Sequence, residues 1–127
     1  MYRESTQDIE VEVVPEYLAA ESAPQISQFV FAYHITITNK GESEVQLINR
    51  HWIITDGEGV VQEVKGEGVV GEQPRLGPGQ THKYSSFCPL STPTGNMRGS
   101  FEMITQKGKK FDVQIPLFFL RDLSLMH

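Results

Sequence analysis

The sequence predicts an all-β fold: a single antiparallel β-sandwich of about seven strands spanning residues 1–127, in the manner of immunoglobulin-like domains. Three observations point there. Val and Ile together number 20 against 4 Ala, a balance that favours strands, because branched side chains suit a pleated surface. Apolar residues alternate with polar ones at period two in several separated runs. Gly, Pro and Asn clusters punctuate those runs, and no long stretch has helical spacing. A small closed barrel is the competing all-β solution.

The first run is Ile9, Val11 and Val13, alternating with Glu10 and Glu12, which predicts a strand with one wet face. Residues 15–21 have a helical flavour but are too short to stand as a helix. Phe29, Phe31, Tyr33, Ile35 and Ile37 then share one parity and predict a strand with a strongly apolar face. Asn39-Lys-Gly41 closes it with turn chemistry. Further strands are expected at 44–55, 60–64, 80–87 and 99–105. Asp56-Gly-Glu-Gly59, Gly77-Pro-Gly79 and Pro93-Thr-Gly-Asn96 separate them. Residues 106–110 read as a tight hairpin into a last strand, in which Phe111, Val113, Ile115 and Leu117 alternate with Asp112, Gln114 and Pro116. Pro116 places that end at a sheet edge or outside pairing, since it has no N–H to donate.

Bulk composition excludes several functions. The longest apolar cluster, Ile115-Pro-Leu-Phe-Phe-Leu120, falls far short of the roughly 18 residues a membrane span needs. The polar start, Met1 to Asp8, lacks the apolar core of a signal peptide. With Cys88 the only cysteine, no internal disulfide can form, and a cytoplasmic location is expected. A net charge of −5 argues against nucleic-acid binding, which draws on Lys and Arg. The one basic cluster, Lys107, Lys109 and Lys110 around Gly108, reads as a solvated hairpin tip.

Gly66-Glu-Gly-Val-Val-Gly71 matches G-x-G-x-x-G. A dinucleotide site would need a helix to begin there. Glu72-Gln-Pro-Arg-Leu-Gly-Pro-Gly79 cannot start one, so the dinucleotide-fold reading fails. Two readings of Gly66, Gly68 and Gly71 stay open: a backbone nest for a phosphate, nucleotide or pyrophosphate, or glycines that permit turns and close packing.

Trp52, Thr55-Asp-Gly57, Val64-Lys-Gly-Glu-Gly-Val-Val-Gly-Glu-Gln-Pro74, Leu76-Gly-Pro-Gly79, Tyr84-Ser85 and Thr92-Pro-Thr-Gly-Asn-Met-Arg-Gly99 together resemble the ApaG family. The likeness runs in order from Val11 to Leu120. It implies a fibronectin type III-like sandwich and, from labels common on bacterial members, a link to cobalt and magnesium efflux. Their genes neighbour that of a diadenosine tetraphosphate hydrolase. The same domain in eukaryotic F-box proteins and in a DNA-polymerase-delta-interacting protein implies an interaction module. The family has no established catalytic residues to carry over. Its glycine motif maps onto Gly66, Gly68 and Gly71, and Phe101 stands where Tyr is frequent.

Neither metal nor catalytic chemistry has a clear set of residues. Asp56, Glu58, Glu63, Glu67 and Glu72 read as a solvated acidic rim, because a strand sends alternate carboxylates to opposite faces. His34, His51, His82 and His127 show no short ligand spacing. Cys88 reads as a small buried hydrophobe and Trp52 as a core anchor. His34 reads as a hydrogen-bonded structural residue, and Ser85 and Ser86 lack a nucleophile elbow. No cofactor is expected. The sequence therefore predicts a non-enzymatic binding module for an unidentified protein partner. Contact would come through a sheet edge or through the Pro/Gly loops at 72–79 and 89–96. A phosphate- or nucleotide-sensing module using residues 66–71 is the alternative.

Overall fold

The computed structural model describes residues 1–122. Those residues form nine strands: β1 (Tyr2–Thr6), β2 (Ile9–Tyr17), β3 (Phe29–Asn39), β4 (Val45–Asp56), β5 (Val61–Glu67), β6 (Arg75–Leu76), β7 (Thr81–Leu90), β8 (Thr94–Thr105) and β9 (Lys110–Arg121). One sheet runs β1-β2-β3-β7 and the other β5-β4-β8-β9, with β6 also paired to β4. All pairings are antiparallel. Two layers result, not a closed barrel, and no helix among the described residues is long and apolar enough to cross a membrane.

The alternation in β3 does what its period dictates. Phe31, Tyr33, Ile35 and Ile37 are buried against the opposite sheet. Trp52 of β4 meets Tyr33 at 5.2 Å, Phe118 at 5.9 Å and Phe101 at 6.4 Å between ring centroids, each contact near edge-to-face. Such geometry sets the negative ring face against a positive edge, adding about 0.5–1.5 kcal/mol per pair beyond burial. Trp52 is thus the core anchor its sequence suggested.

All seven expected strands are present, and two more join them. β1 has no apolar alternation, because an edge strand can rest on backbone pairing alone. It runs Tyr2 opposite Val13 to Thr6 opposite Ile9, and Tyr2 packs on Phe118 at 6.1 Å. Its connection to β2 bends at Gln7 and Asp8, both left-handed at φ 46° and 67°, without the glycine that usually signals such a turn. β6 pairs with β4 and is held further by one buried side chain. Asn39, 1 % exposed, donates from Nδ2 to the carbonyls of Ser43 and Leu76, both at 2.9 Å, while its Oδ1 accepts from Gly41.

Two local expectations are corrected. Residues 93–96, expected as a separator, belong to β8 from Thr94 onward. Gly95 serves close packing there: a Cβ would sit 2.7 Å from the Thr55 carbonyl and from Leu90. Residues 15–21 begin as the end of β2 and continue into a 3-10 turn at Ala19–Glu21.

Pro116 stands as its missing N–H requires. β9 is an edge strand, and the register slips where Gly99 faces Ile115 but Met97 faces Phe118, leaving Pro116 in the bulge. The β1 and β9 edges also approach each other. Thr6 Oγ1 accepts a hydrogen bond from the Gln114 amide at 3.2 Å, so one flank of the sandwich is stitched. The other flank carries β7 and β5.

Candidate functional site

The open flank is built around β7. Tyr84, Ser86, Cys88 and Leu90 face inward, opposite Ile35, Tyr33, Phe31 and Phe29 of β3. Period two then sends Lys83, Ser85, Phe87 and Pro89 to the outer face. Phe87 is consequently 65 % exposed. It lies across from Ala32, with Pro89 across from Val30, and half-exposed Val14 sits nearby on β2. β7 pairs on its other side with no described strand. The sequence held this signal in the parity of Tyr84, Cys88 and Leu90, but the strand was read only as far as Phe87.

The two Pro/Gly loops are less open than expected. β6 occupies the middle of 72–79 and buries Leu76. Pro89 and Leu90 belong to β7 and Thr94 to Asn96 belong to β8, leaving residues 91–93 as connection.

The glycine motif lies beside β4. Gly66 is in β5 opposite Arg50. The Arg50 Nη1 donates to the carbonyls of Glu67 at 2.8 Å and Gly68 at 3.1 Å. The amides of Gly68, Val69 and Glu72 donate to the carbonyls of Ile48, Glu72 and Val69. A Cβ on Gly68 would run into the Glu72 carbonyl. Val70 and Gly71, at φ 47° and 80°, form the two-residue turn between Val69 and Glu72, which bridge antiparallel. The glycines are therefore spent on a packed guanidinium, a close backbone approach and a mirror-image turn.

The remaining candidates are dispersed. His34 lies on the outer face of one sheet, hydrogen-bonded to Ser85 and Glu16. His51 lies on the outer face of the other and meets Glu63 at 3.1 Å. His82 meets Glu72 at 3.6 Å, and His127 is outside the described residues. Asp56 Oδ1 caps its own turn, accepting from the amides of Glu58 and Val60. Lys65 and His51 hold the Glu63 carboxyl below its ordinary range. Among the described residues no three His, Cys, Asp or Glu side chains are placed to hold a metal ion. Lys107, Lys109 and Lys110 are exposed around their turn. Burial pushes the Cys88 thiol up to about 11, leaving it protonated and unreactive at neutral pH.

The model of the ApaG domain matches residues 19–105. This chain belongs to the ApaG family. It is 56 % identical over 120 residues to Protein ApaG of Afipia carboxidovorans, covering 94 % of this chain and 92 % of that one. It is 53 % identical over 119 residues to Protein ApaG of Aromatoleum aromaticum, covering 94 % of each. That shared name specifies no reaction. A Bordetella pertussis crystal structure assigned as an ApaA protein superposes with a TM-score of 0.88 at 49 % identity, covering 95 % of this chain and 97 % of that one. The C-terminal domain of wzt, at 11 % identity and a TM-score of 0.56, shares the fold alone.

Proposed function

We propose that this ApaG-family chain is a cytoplasmic, non-enzymatic binding module that takes an extended protein segment along the free edge of β7. Phe87 carries the reading, as a phenylalanine 65 % exposed on an edge strand. Natural edges are blunted with Lys, Pro or bulges. β7 has such guards in Lys83 and Pro89, yet it leaves the aromatic ring open between them. An added strand gains affinity from main-chain hydrogen bonds and specificity from alternate side chains. The added strand's outer-face side chains would fall beside Phe87 and its β7 neighbours Ser85 and Pro89. The bearing on cobalt and magnesium that the family implies then runs through the partner and not through an ion held by this chain. Nucleotide or pyrophosphate sensing by Gly66, Gly68 and Gly71 has less support, because the Gly68 amide already donates to Ile48 and the amides of Val69 and Glu72 donate to each other's carbonyls.

Affinity capture with three forms tests this reading: the parent chain, Phe87→Lys on β7 and Val64→Lys on β5. A protein held by the parent and by Val64→Lys but lost with Phe87→Lys is the expected result. Equal retention by Phe87→Lys counts against the β7 edge. Amide shifts confined to residues 66–71 on adding ATP or diadenosine tetraphosphate would favour the alternative.

A further inference from the structure

Three polar side chains from adjacent strands meet on the outer face of the β1-β2-β3-β7 sheet. Ser85 Oγ lies 2.6 Å from His34 Nδ1, directly across the β7–β3 pairing. His34 Nε2 lies 3.0 Å from Glu16 Oε1 on β2. The carboxylate accepts from Nε2–H and so fixes the tautomer, which leaves the Nδ1 lone pair for the serine proton. This is the nucleophile, base and orienting acid of an activated serine, recognised by geometry rather than by sequence motif. The order of the two imidazole nitrogens is the reverse of the usual one, which leaves the proton relay unchanged.

Two neighbours complete the arrangement. Phe87 stands two residues along on the same face, 65 % exposed, and offers an apolar rest for an acyl chain. Because β7 is an edge, its alternate amides point away from the sheet and have no strand partner among the described residues. The serine and the imidazole are both open to a reagent, Ser85 being exposed and the His34 side chain 45 % accessible.

We propose that Ser85 is a nucleophilic modification site, taking up an acyl group from an activated acyl donor with His34 as base. Oγ attacks the acyl carbon while its proton passes to Nδ1. The tetrahedral adduct collapses, the bond from the acyl carbon to the leaving group breaks, and the departing group takes the proton from the imidazolium. Ser85 is left as an ester and His34 as it began. No oxidant, metal or cofactor enters the balance.

A fluorophosphonate reads the same step, forming an Oγ–P bond as the P–F bond breaks and fluoride leaves. Intact mass and peptide mapping on the isolated chain should show one adduct, at Ser85. Ser86, Ser91 and Ser100 of the same molecule should remain unmodified. Ser85→Ala should abolish the adduct, and His34→Gln, which keeps polarity without a base, should slow it about a hundredfold or more, the range a positioned base supplies. Glu16→Gln should slow it by a smaller factor. The urea-unfolded parent chain should lose the selectivity, which tests the geometry without any substitution. Labelling spread evenly over the serines, or a His34→Gln rate equal to the parent's, would overturn the assignment. The readout needs no partner, so it stands or falls separately from strand addition at β7.

Discussion

The guanidinium of Arg50 lies flat against the Cα of Gly66. A Cβ at that position would sit 2.7 Å from Arg50 Nη2 and 2.8 Å from Cζ. The contact ties β4 to the carbonyls of Glu67 and Gly68, so the motif's first glycine is held by packing.

Replacing the three glycines separately by Ala should therefore give three different costs. Gly68→Ala should be the most damaging, since it combines a left-handed backbone with a collision at the Glu72 carbonyl. Gly71→Ala meets no neighbour within 4 Å and should cost only the left-handed penalty, about 1–2 kcal/mol. Gly66→Ala should cost about 1–2 kcal/mol, by dislodging an arginine that makes charge-assisted bonds. Urea unfolding measures all three, and a Gly66→Ala chain as stable as its parent would contradict the packing role.

Val70 is a β-branched residue at φ 47°, where only glycine and asparagine are at ease. Followed by Gly71 it forms a turn that favours Asn-Gly. Val70→Asn should raise stability by about 1 kcal/mol, visible as a higher melting temperature. An unchanged or lower one would mean that the exposed valine contributes something the backbone geometry does not show.

Burial pushes the Tyr84 phenol far above its ordinary range, and among the described residues its buried hydroxyl has no hydrogen-bond partner. A buried group without a partner destabilises the fold. Tyr84→Phe should thus be neutral or stabilising by up to about 1 kcal/mol. A clear loss in thermal unfolding would reveal a bound water at that hydroxyl.

Glu10 is held below its ordinary range chiefly by the hydrogen bond from Lys40, at 2.8 Å. A depressed carboxyl stabilises the fold above its unfolded pKa and loses that contribution as pH falls through the folded one. Lys40→Ala should be less stable than the parent at pH 7. The difference should begin to shrink as pH falls below the unfolded value of about 4.3 and be lost once pH has passed through the lower folded one. Chemical unfolding at a series of pH values checks this, and a gap independent of pH would assign the cost to something other than the ion pair.

The layers were legible wherever a buried face forced alternation, as along Phe29 to Ile37, and wherever proline removed a donor, as at Pro116. β1 escaped because its five residues carry no apolar alternation, and β6 because its two residues depend on pairing with β4 and on the buried amide of Asn39. The glycine motif was half legible. Its failure to open a helix followed from Pro74 and Pro78, but the contact between Gly66 and Arg50 needed the β4–β5 register. Ser85, His34 and Glu16 are separated by 51 and 18 positions, and no local spacing announces residues that only sheet order makes neighbours.

The hydrogen bond from Gln114 to Thr6 has a consequence for assembly. With that side fastened and Pro116 interrupting β9, the open edges among the described residues are those of β7 and β5, both on the opposite flank. Two copies joined β7 to β7 about a two-fold axis would close that edge in both, whereas β7 of one copy against β5 of the next would leave an open edge at each end. The Lys83 and Pro89 guards on β7 therefore sit on the margin from which an open chain of copies would grow.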